Sequence, residues 1–266
     1  MHVIICTTSD QVGQHAAERI AGVCHAAGPE PVLGVATGSS PLATYTELAR
    51  WVQAGRLDLR RAHAFALDEY VGLGEGHPQS YAAVIAATVT RPLGLDPTRV
   101  HVPPGHAEDV DAACADYERE IHSVGGVDVQ VLGVGTNGHI GFNEPTSSLG
   151  SRTRIKTLTG RTRTDNARFF ATLDAVPRFC ITQGLGPIME ARHLVLVAQG
   201  AHKAEAIAAL VEGPLTSLVP GSVLQLHPRA TVILDEAAAS GLKLADYYRD
   251  VFAGMPAWQR DPALSF

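Results

Sequence analysis

The sequence predicts an α/β fold: one doubly wound, mostly parallel sheet of about seven strands, Rossmann-like, with helices on both faces. Three observations carry that expectation. Short apolar runs recur along the chain, each followed by a stretch of helical periodicity. Glycine-containing turns follow the runs, as at Thr37–Ser40, 133–141, 183–187 and 200–203. The composition is 45% hydrophobic but only 6% aromatic, with much Ala, Gly and Val, which suits helices packed closely on buried parallel strands. A length of 266 residues fits one domain spanning 1–266.

The net charge of −6 argues against a general nucleic-acid binder. Cys6, Cys24, Cys114 and Cys180 are scattered without a C-x-x-C, and read as reduced core residues rather than metal ligands or a disulfide framework. No basic start precedes an apolar segment, and no apolar run approaches ~18 residues. The expectation is a soluble, cytoplasmic protein.

Taken in order, residues 3–6 form the first strand. Thr8 or Ser9 caps a helix whose apolar side runs through Val12, Ala16, Ile20 and Val23, and Gly28-Pro29 ends it. Residues 31–36 are the second strand. Thr37, Gly38, Ser39 and Ser40 follow, with Ser40 expected at the N-cap and Pro41 at the first helical position. A strand, a glycine, hydroxyls and a helix start in that order make an anion site, because free N–H groups and the positive helix end point the same way. An ordinary capped helix has the same pattern, so the motif alone leaves both open.

Residues 62–67 are the third strand. Asp68-Glu69-Tyr70 sits at its C-terminal end, and a loop, residues 71–78, follows; a carboxylate pair there either faces the ligand crevice or is a solvated loop acid. Residues 79–90 read as one amphipathic helix, 99–102 as a weak strand, and 108–124 as a helix with acids in its first turn. Residues 127–132 form a buried strand. The loop after it holds four glycines in nine positions, then His139 and Glu144. A titratable pair on a glycine-rich loop past a strand end is where an open α/β fold does chemistry.

Residues 151–168 carry six Lys/Arg against one acid, Asp165, on a chain that is acidic overall. Such an island suits an anionic ligand or a solvated face with intersubunit salt bridges. Residues 166–170 read as helical and 178–182 as a strand. The turn 183–187 leads into another helix, with Pro187 near its start. Residues 193–198 are a very apolar strand, and residues 200–203 open a helix reaching Val211. Lys203 in that first turn opposes the helix dipole, which makes sense if lysine and helix end face one bound anion; a surface lysine is the alternative. Residues 213–227 are irregular with a short helix, 231–234 are the last strand, and the tail after Gly241 is helical.

The candidates Thr37–Ser40, Asp68, Asn137–Glu144, Gly184 and Lys203 all follow strands, so they should converge along one sheet edge. His139 and Glu144 do not have the spacing of a metal motif, and no G-x-S-x-G elbow is present. The G-x-G-x-x-G at 133–138 lies deep in the chain and is not at the first strand. An anion cradle with carboxylates and an imidazole fits a small phosphorylated substrate and proton transfer beside a carbonyl.

Three blocks then resemble one family. Leu67-Asp68-Glu69-Tyr70-Val71-Gly72, Asn137-Gly138-His139-Ile140-Gly141-Phe142-Asn143-Glu144-Pro145 and Ser151-Arg152-Thr153-Arg154-Ile155-Lys156-Thr157 are similar to the bacterial glucosamine-6-phosphate deaminases. The resemblance implies reversible conversion of glucosamine 6-phosphate and water to fructose 6-phosphate and ammonia, with no organic cofactor and no metal. It assigns ring opening to His139 held by Glu144, the C2 proton to Asp68, and the substrate grip to Thr37, Gly38, Ser39, Ser40, Arg168 and Lys203. Asn137 stands where some members carry aspartate, and the resemblance leaves it a hydrogen-bonding catalytic role. By the same resemblance Ser147, Arg154, Lys156 and Thr157 match an effector site for N-acetylglucosamine 6-phosphate, and a homo-oligomer, a hexamer, is implied. The rivals are a 6-phosphogluconolactonase-like hydrolase and a sugar-phosphate-sensing domain.

Overall fold

The computed structural model describes residues 1–74 and 76–256. Among these described residues the strands are β1 (His2–Cys6), β2 (Val32–Val35), β3 (His63–Ala66), β4 (Asp68–Tyr70), β5 (Val100–His101), β6 (Val129–Leu132), β7 (Arg154–Thr157), β8 (Phe179–Thr182), β9 (His193–Ala198) and β10 (Ala230–Asp235). The α-helices among them are α1 (Ser9–Ala27), α2 (Leu42–Gln53), α3 (Tyr81–Ile85), α4 (Val110–Ser123), α5 (Gly160–Asn166), α6 (Leu185–Met189), α7 (Ala204–Val211), α8 (Glu236–Ala239) and α9 (Ala245–Gly254).

Seven strands form the central sheet in the order β1-β10-β9-β6-β2-β3-β5, and every pairing is parallel. Parallel strands need crossovers, and helices supply them on both faces. Alternate strand residues feed two cores. Leu132, Leu194, Leu196, Val232 and Leu234 pack with residues of α4, α6, α7 and α8. Val129, Val131, Val195, Val197 and Ile233 pack with α1 and α2. The expected doubly wound sheet is therefore the observed one. All four cysteines are buried and free. No described helix is long and apolar enough to cross a membrane.

The first helix is capped by Thr8, whose side chain accepts from Gln11 N, and it ends at Gly28 with φ 93°. Its expected apolar face is the buried one. Four expectations need correction. Pro41, not Ser40, occupies the N-cap of α2, and no side chain caps that helix; the hydroxyls of the turn are left for other partners. Asp68–Tyr70 is not merely the end of the third strand but a strand of its own, β4, paired antiparallel with β8. Residues 178–182 were expected among the strands of the parallel sheet; instead β8 lies between β4 and β7 in a separate antiparallel sheet. Periodicity alone cannot tell one sheet from two. Finally, residues 79–90 do not form one regular helix. Glu69 accepts backbone N–H bonds from Tyr81 and Ala82, both at 2.8 Å, which anchors α3, and the chain then passes into a π-helical turn at Ala86–Thr90. Within residues 166–170, Asn166 ends α5 and a 3₁₀ turn, Ala167–Phe169, follows it.

Because the sheet is parallel, its strand ends share one edge. β9, β6, β2 and β3 are consecutive in it, so the turns that follow them are neighbours. The small sheet supports the same edge: Asp68 and Arg154 both pair with Thr182, from opposite sides.

Candidate active site

A cleft of about 800 Å³, counting its open mouth, lies at that edge. Thr37, Gly38, Ser39, Ser40, Asp68, His139, Arg168 and Lys203 all line it. Asn137 and Glu144 stand behind His139 and do not reach the cleft surface.

The turn after β2 is held from below. The Tyr45 hydroxyl accepts from Ala36 N at 2.9 Å and lies 3.0 Å from Ala36 O. Gln199 Nε2 donates to Ser40 O at 3.3 Å. Gly38 has φ 89°, a conformation that glycine adopts without steric cost. The N–H groups of Gly38, Ser39 and Ser40 have no partner among the described residues and stand at the start of α2. Donors without acceptors at a helix start form an anion cradle.

Lys203 reaches the cleft from the N-cap of α7 and donates to Val134 O at 2.7 Å. Burial pushes its amine below the ordinary lysine value; Asp165 opposes that shift and Arg168 adds to it. Arg168 sits with its guanidinium 4.7 Å from the Phe169 ring centroid. The two cations and the cradle thus face one space.

Asp68 is only 6% exposed. Burial, reinforced by Glu69, pushes its carboxyl up to about 8. A carboxylate that gains its proton near neutrality is suited to take and return protons. Its neighbour Glu69 acts on the backbone instead. It accepts from the Tyr70, Tyr81 and Ala82 N–H groups and fixes the strand against α3.

The loop after β6 presents His139. Gly135 N donates to His139 O at 2.9 Å, closing the loop. A Cβ on Gly135 would lie 2.2 Å from the ring, so only glycine leaves the imidazole its place. Nδ1 of His139 is 3.6 Å from Glu144 Oε2 and has no hydrogen-bond partner among the described residues. Asn137 occupies the same oxygen: its Nδ2 donates to Oε2 at 2.7 Å, while its Oδ1 accepts from His139 N at 3.3 Å. The asparagine therefore ties carboxylate to loop. Thr162 donates to Glu144 Oε1, and Thr159 Oγ1 lies 3.3 Å from it. Burial acts to raise the Glu144 carboxyl, but His139, Thr162 and Asn137 outweigh it and bring it down to about 2. Glu144 is thus a fixed negative charge beside the imidazole.

Several cleft residues escaped the sequence reading. Tyr81, Thr162, Asp165 and Asn166 line the cleft. Asp165 had a signal, as the lone acid of the basic island; the others had none. Of the residues matched to an effector site, Ser147 is buried. Arg154 Nη1 donates to Asn143 Oδ1 at 2.9 Å, which ties β7 to the loop after β6. Strand alternation puts Arg154 and Lys156 on one face of β7 and Thr157 on the other, so this structure does not gather the four on one face.

Residues 7–233 match the model of the family described as glucosamine-6-phosphate isomerases/6-phosphogluconolactonase. The chain belongs to this family. Within it, the chain is 59% identical over 249 residues to a glucosamine-6-phosphate deaminase of Cutibacterium acnes, covering 94% of this chain and 95% of that protein. It is 55% identical over 259 residues to one of an Arthrobacter species, covering 97% and 99%. Among solved structures, a monomeric glucosamine-6-phosphate deaminase superposes with TM-score 0.87 at 40% identity, covering 91% of this chain and all of that one. The 6-phosphogluconolactonase of Trypanosoma cruzi superposes with TM-score 0.71 at 17% identity, covering 91% and 97%, a likeness of fold alone.

Proposed function

We propose that the chain is a glucosamine-6-phosphate deaminase acting by acid–base catalysis. The observation that carries this reading is the convergence on one cleft of a buried Asp68 that titrates near neutrality, the Glu144-backed His139, and an anion cradle with Arg168 and Lys203. Relatives more than half identical over nearly the whole chain bear that name, whereas the lactonase likeness is one of fold.

The substrate's phosphate lies in the cradle of Thr37–Ser40, against Arg168 and Lys203. His139 moves the proton between ring oxygen and anomeric hydroxyl that opens the pyranose, while Glu144 stabilises the charged ring. Asn137 keeps Glu144 in place and takes no proton itself. In its carboxylate form Asp68 removes the C2 proton to give an enolamine, and the carboxyl so formed delivers a proton to C1. Water adds to the resulting C2 imine and ammonia leaves. Each proton taken by Asp68 is returned, so the carboxyl starts the next turnover in its original state.

The reading extends to a cytoplasmic enzyme that responds to N-acetylglucosamine 6-phosphate near Arg154 and Lys156, and to a homo-oligomer. Family membership does not by itself entail the expected hexamer, since a 40% identical relative is described as monomeric; light scattering of the purified protein measures the assembly. The deciding assay is ammonia release from glucosamine 6-phosphate with detection of fructose 6-phosphate. Folded protein that releases neither, with or without N-acetylglucosamine 6-phosphate, refutes the proposal.

A further inference from the structure

A second cavity shares a wall with the cleft. Thr37, Gly38, Ser39, Tyr81, Asn166 and Arg168 line both. The remaining walls differ in kind: Leu42, Tyr70, Val84, Phe169 and Phe170 make this annex almost wholly apolar. It is comparable in size to the cleft, about 680 Å³ counting its mouth.

Apart from the cradle, Arg168 and the Gln79 side chain, its polar groups are engaged with one another or with backbone. The Tyr70 hydroxyl accepts from Asn166 Nδ2 at 3.0 Å and lies 3.3 Å from the Tyr81 hydroxyl. The Thr88 hydroxyl, on the π-helical turn at its base, donates to Val84 O at 2.8 Å. A sugar placed against the walls of Leu42, Val84, Phe169 and Phe170 would leave most of its hydroxyls unpaired, which is costly. The annex is therefore not an extension of the sugar site. Yet it is not ordinary surface either. Leu42 and Phe169 each stay 42% exposed at its rim. Tyr70 packs against Tyr81 and Phe170, with ring centroids 4.7 and 5.7 Å apart, so the wall is a built aromatic one. Arg168 stands where apolar wall meets cradle, its guanidinium 4.7 Å from the Phe169 ring.

Cationic and N–H groups at one end of an apolar cavity define the ligand that complements both. We propose that the annex is a binding subsite for an apolar group carried on a phosphate. The ligand is an aryl or alkyl phosphate monoester, with its head in the Thr37–Ser39 cradle beside Arg168 and its tail in the annex. Such a compound excludes the sugar phosphate from the cradle. The inference rests on the phosphate role proposed above for that turn.

The test is titration calorimetry of the whole protein with inorganic phosphate, methyl phosphate and phenyl phosphate. The two small anions should bind alike, and phenyl phosphate at least about tenfold tighter, because its ring leaves water. Val84→Trp fills the annex and should reduce the phenyl advantage to less than about threefold while leaving inorganic phosphate unchanged. Leu42→Ser changes an exposed side chain, keeps the fold, and should remove part of the advantage. Phosphate binding without a phenyl advantage overturns the annex alone. So does an advantage undiminished in both variants, which would put the ring in the sugar cleft. No binding of inorganic phosphate overturns the cradle reading and this inference together.

Discussion

Replacing Asp68 with asparagine separates two consequences of one burial. The folded carboxyl holds its proton up to about 8, whereas an aspartate in an unfolded chain titrates near ~3.9. Between those values the folded state binds a proton that the unfolded state has lost. Stability contributed by this group is thus complete below about pH 4 and declines as pH rises through the folded value. The decline is about 1.4 kcal/mol per pH unit inside that window. Asparagine keeps the shape and does not titrate. The unfolding free energy of Asp68→Asn minus that of the wild type should therefore grow by roughly 4 kcal/mol from pH 5 to pH 8, then level off. Urea unfolding at unit steps of pH, without substrate, measures it. The same variant should lose exchange of the C2 proton in deuterated water by a factor on the order of 10² to 10⁴, the usual contribution of a general base. A difference curve flat from pH 5 to 8 refutes the raised titration, and surviving exchange refutes the base.

Three more outcomes follow from named contacts. Lys203→Ala should raise KM for glucosamine 6-phosphate about 10- to 100-fold with kcat nearly unchanged, the loss expected for a charge-assisted hydrogen bond; an unaltered KM removes lysine from the phosphate grip. Gly135→Ala forces the His139 ring away, since a Cβ there would lie 2.2 Å from it. Turnover should fall at least about tenfold at a stability cost of about 1–3 kcal/mol, while Gly150→Ala, with open space around its Cβ, should be silent; wild-type turnover in Gly135→Ala means the ring need not sit where it does. Arg154→Ala should abolish activation by N-acetylglucosamine 6-phosphate, measured from saturation curves with and without it; a wild type already hyperbolic and indifferent to the compound disposes of the effector site.

Much of the fold was legible because parallel strands, buried on both faces, appear as apolar runs. β9 was expected at 193–198 and is found at His193–Ala198. What periodicity could not show was partnership. Asp68–Tyr70 and Phe179–Thr182 are far apart in sequence, and their antiparallel pairing exists only once the chain has closed. The candidate site was legible for a related reason: in an α/β sheet, polar residues just past strand ends have one common destination. Asp165 was visible as an oddity of charge, but Tyr81, Thr162 and Asn166 were not, because nothing local distinguishes a cleft tyrosine or a capping threonine from any other.

Thus the sequence by itself determined which segments of the central sheet become strands, and that glycine, hydroxyl and titratable residues follow their ends. The order β9-β6-β2-β3, which makes the four turns neighbours, was decided in the tertiary structure. So were the protonation states. The carboxyl of Asp68, buried without cationic help, binds its proton up to about 8. The carboxyl of Glu144 releases it near 2, because His139, Thr162 and Asn137 surround it. Burial and neighbours set those values, and both arise only when distant parts of the chain meet.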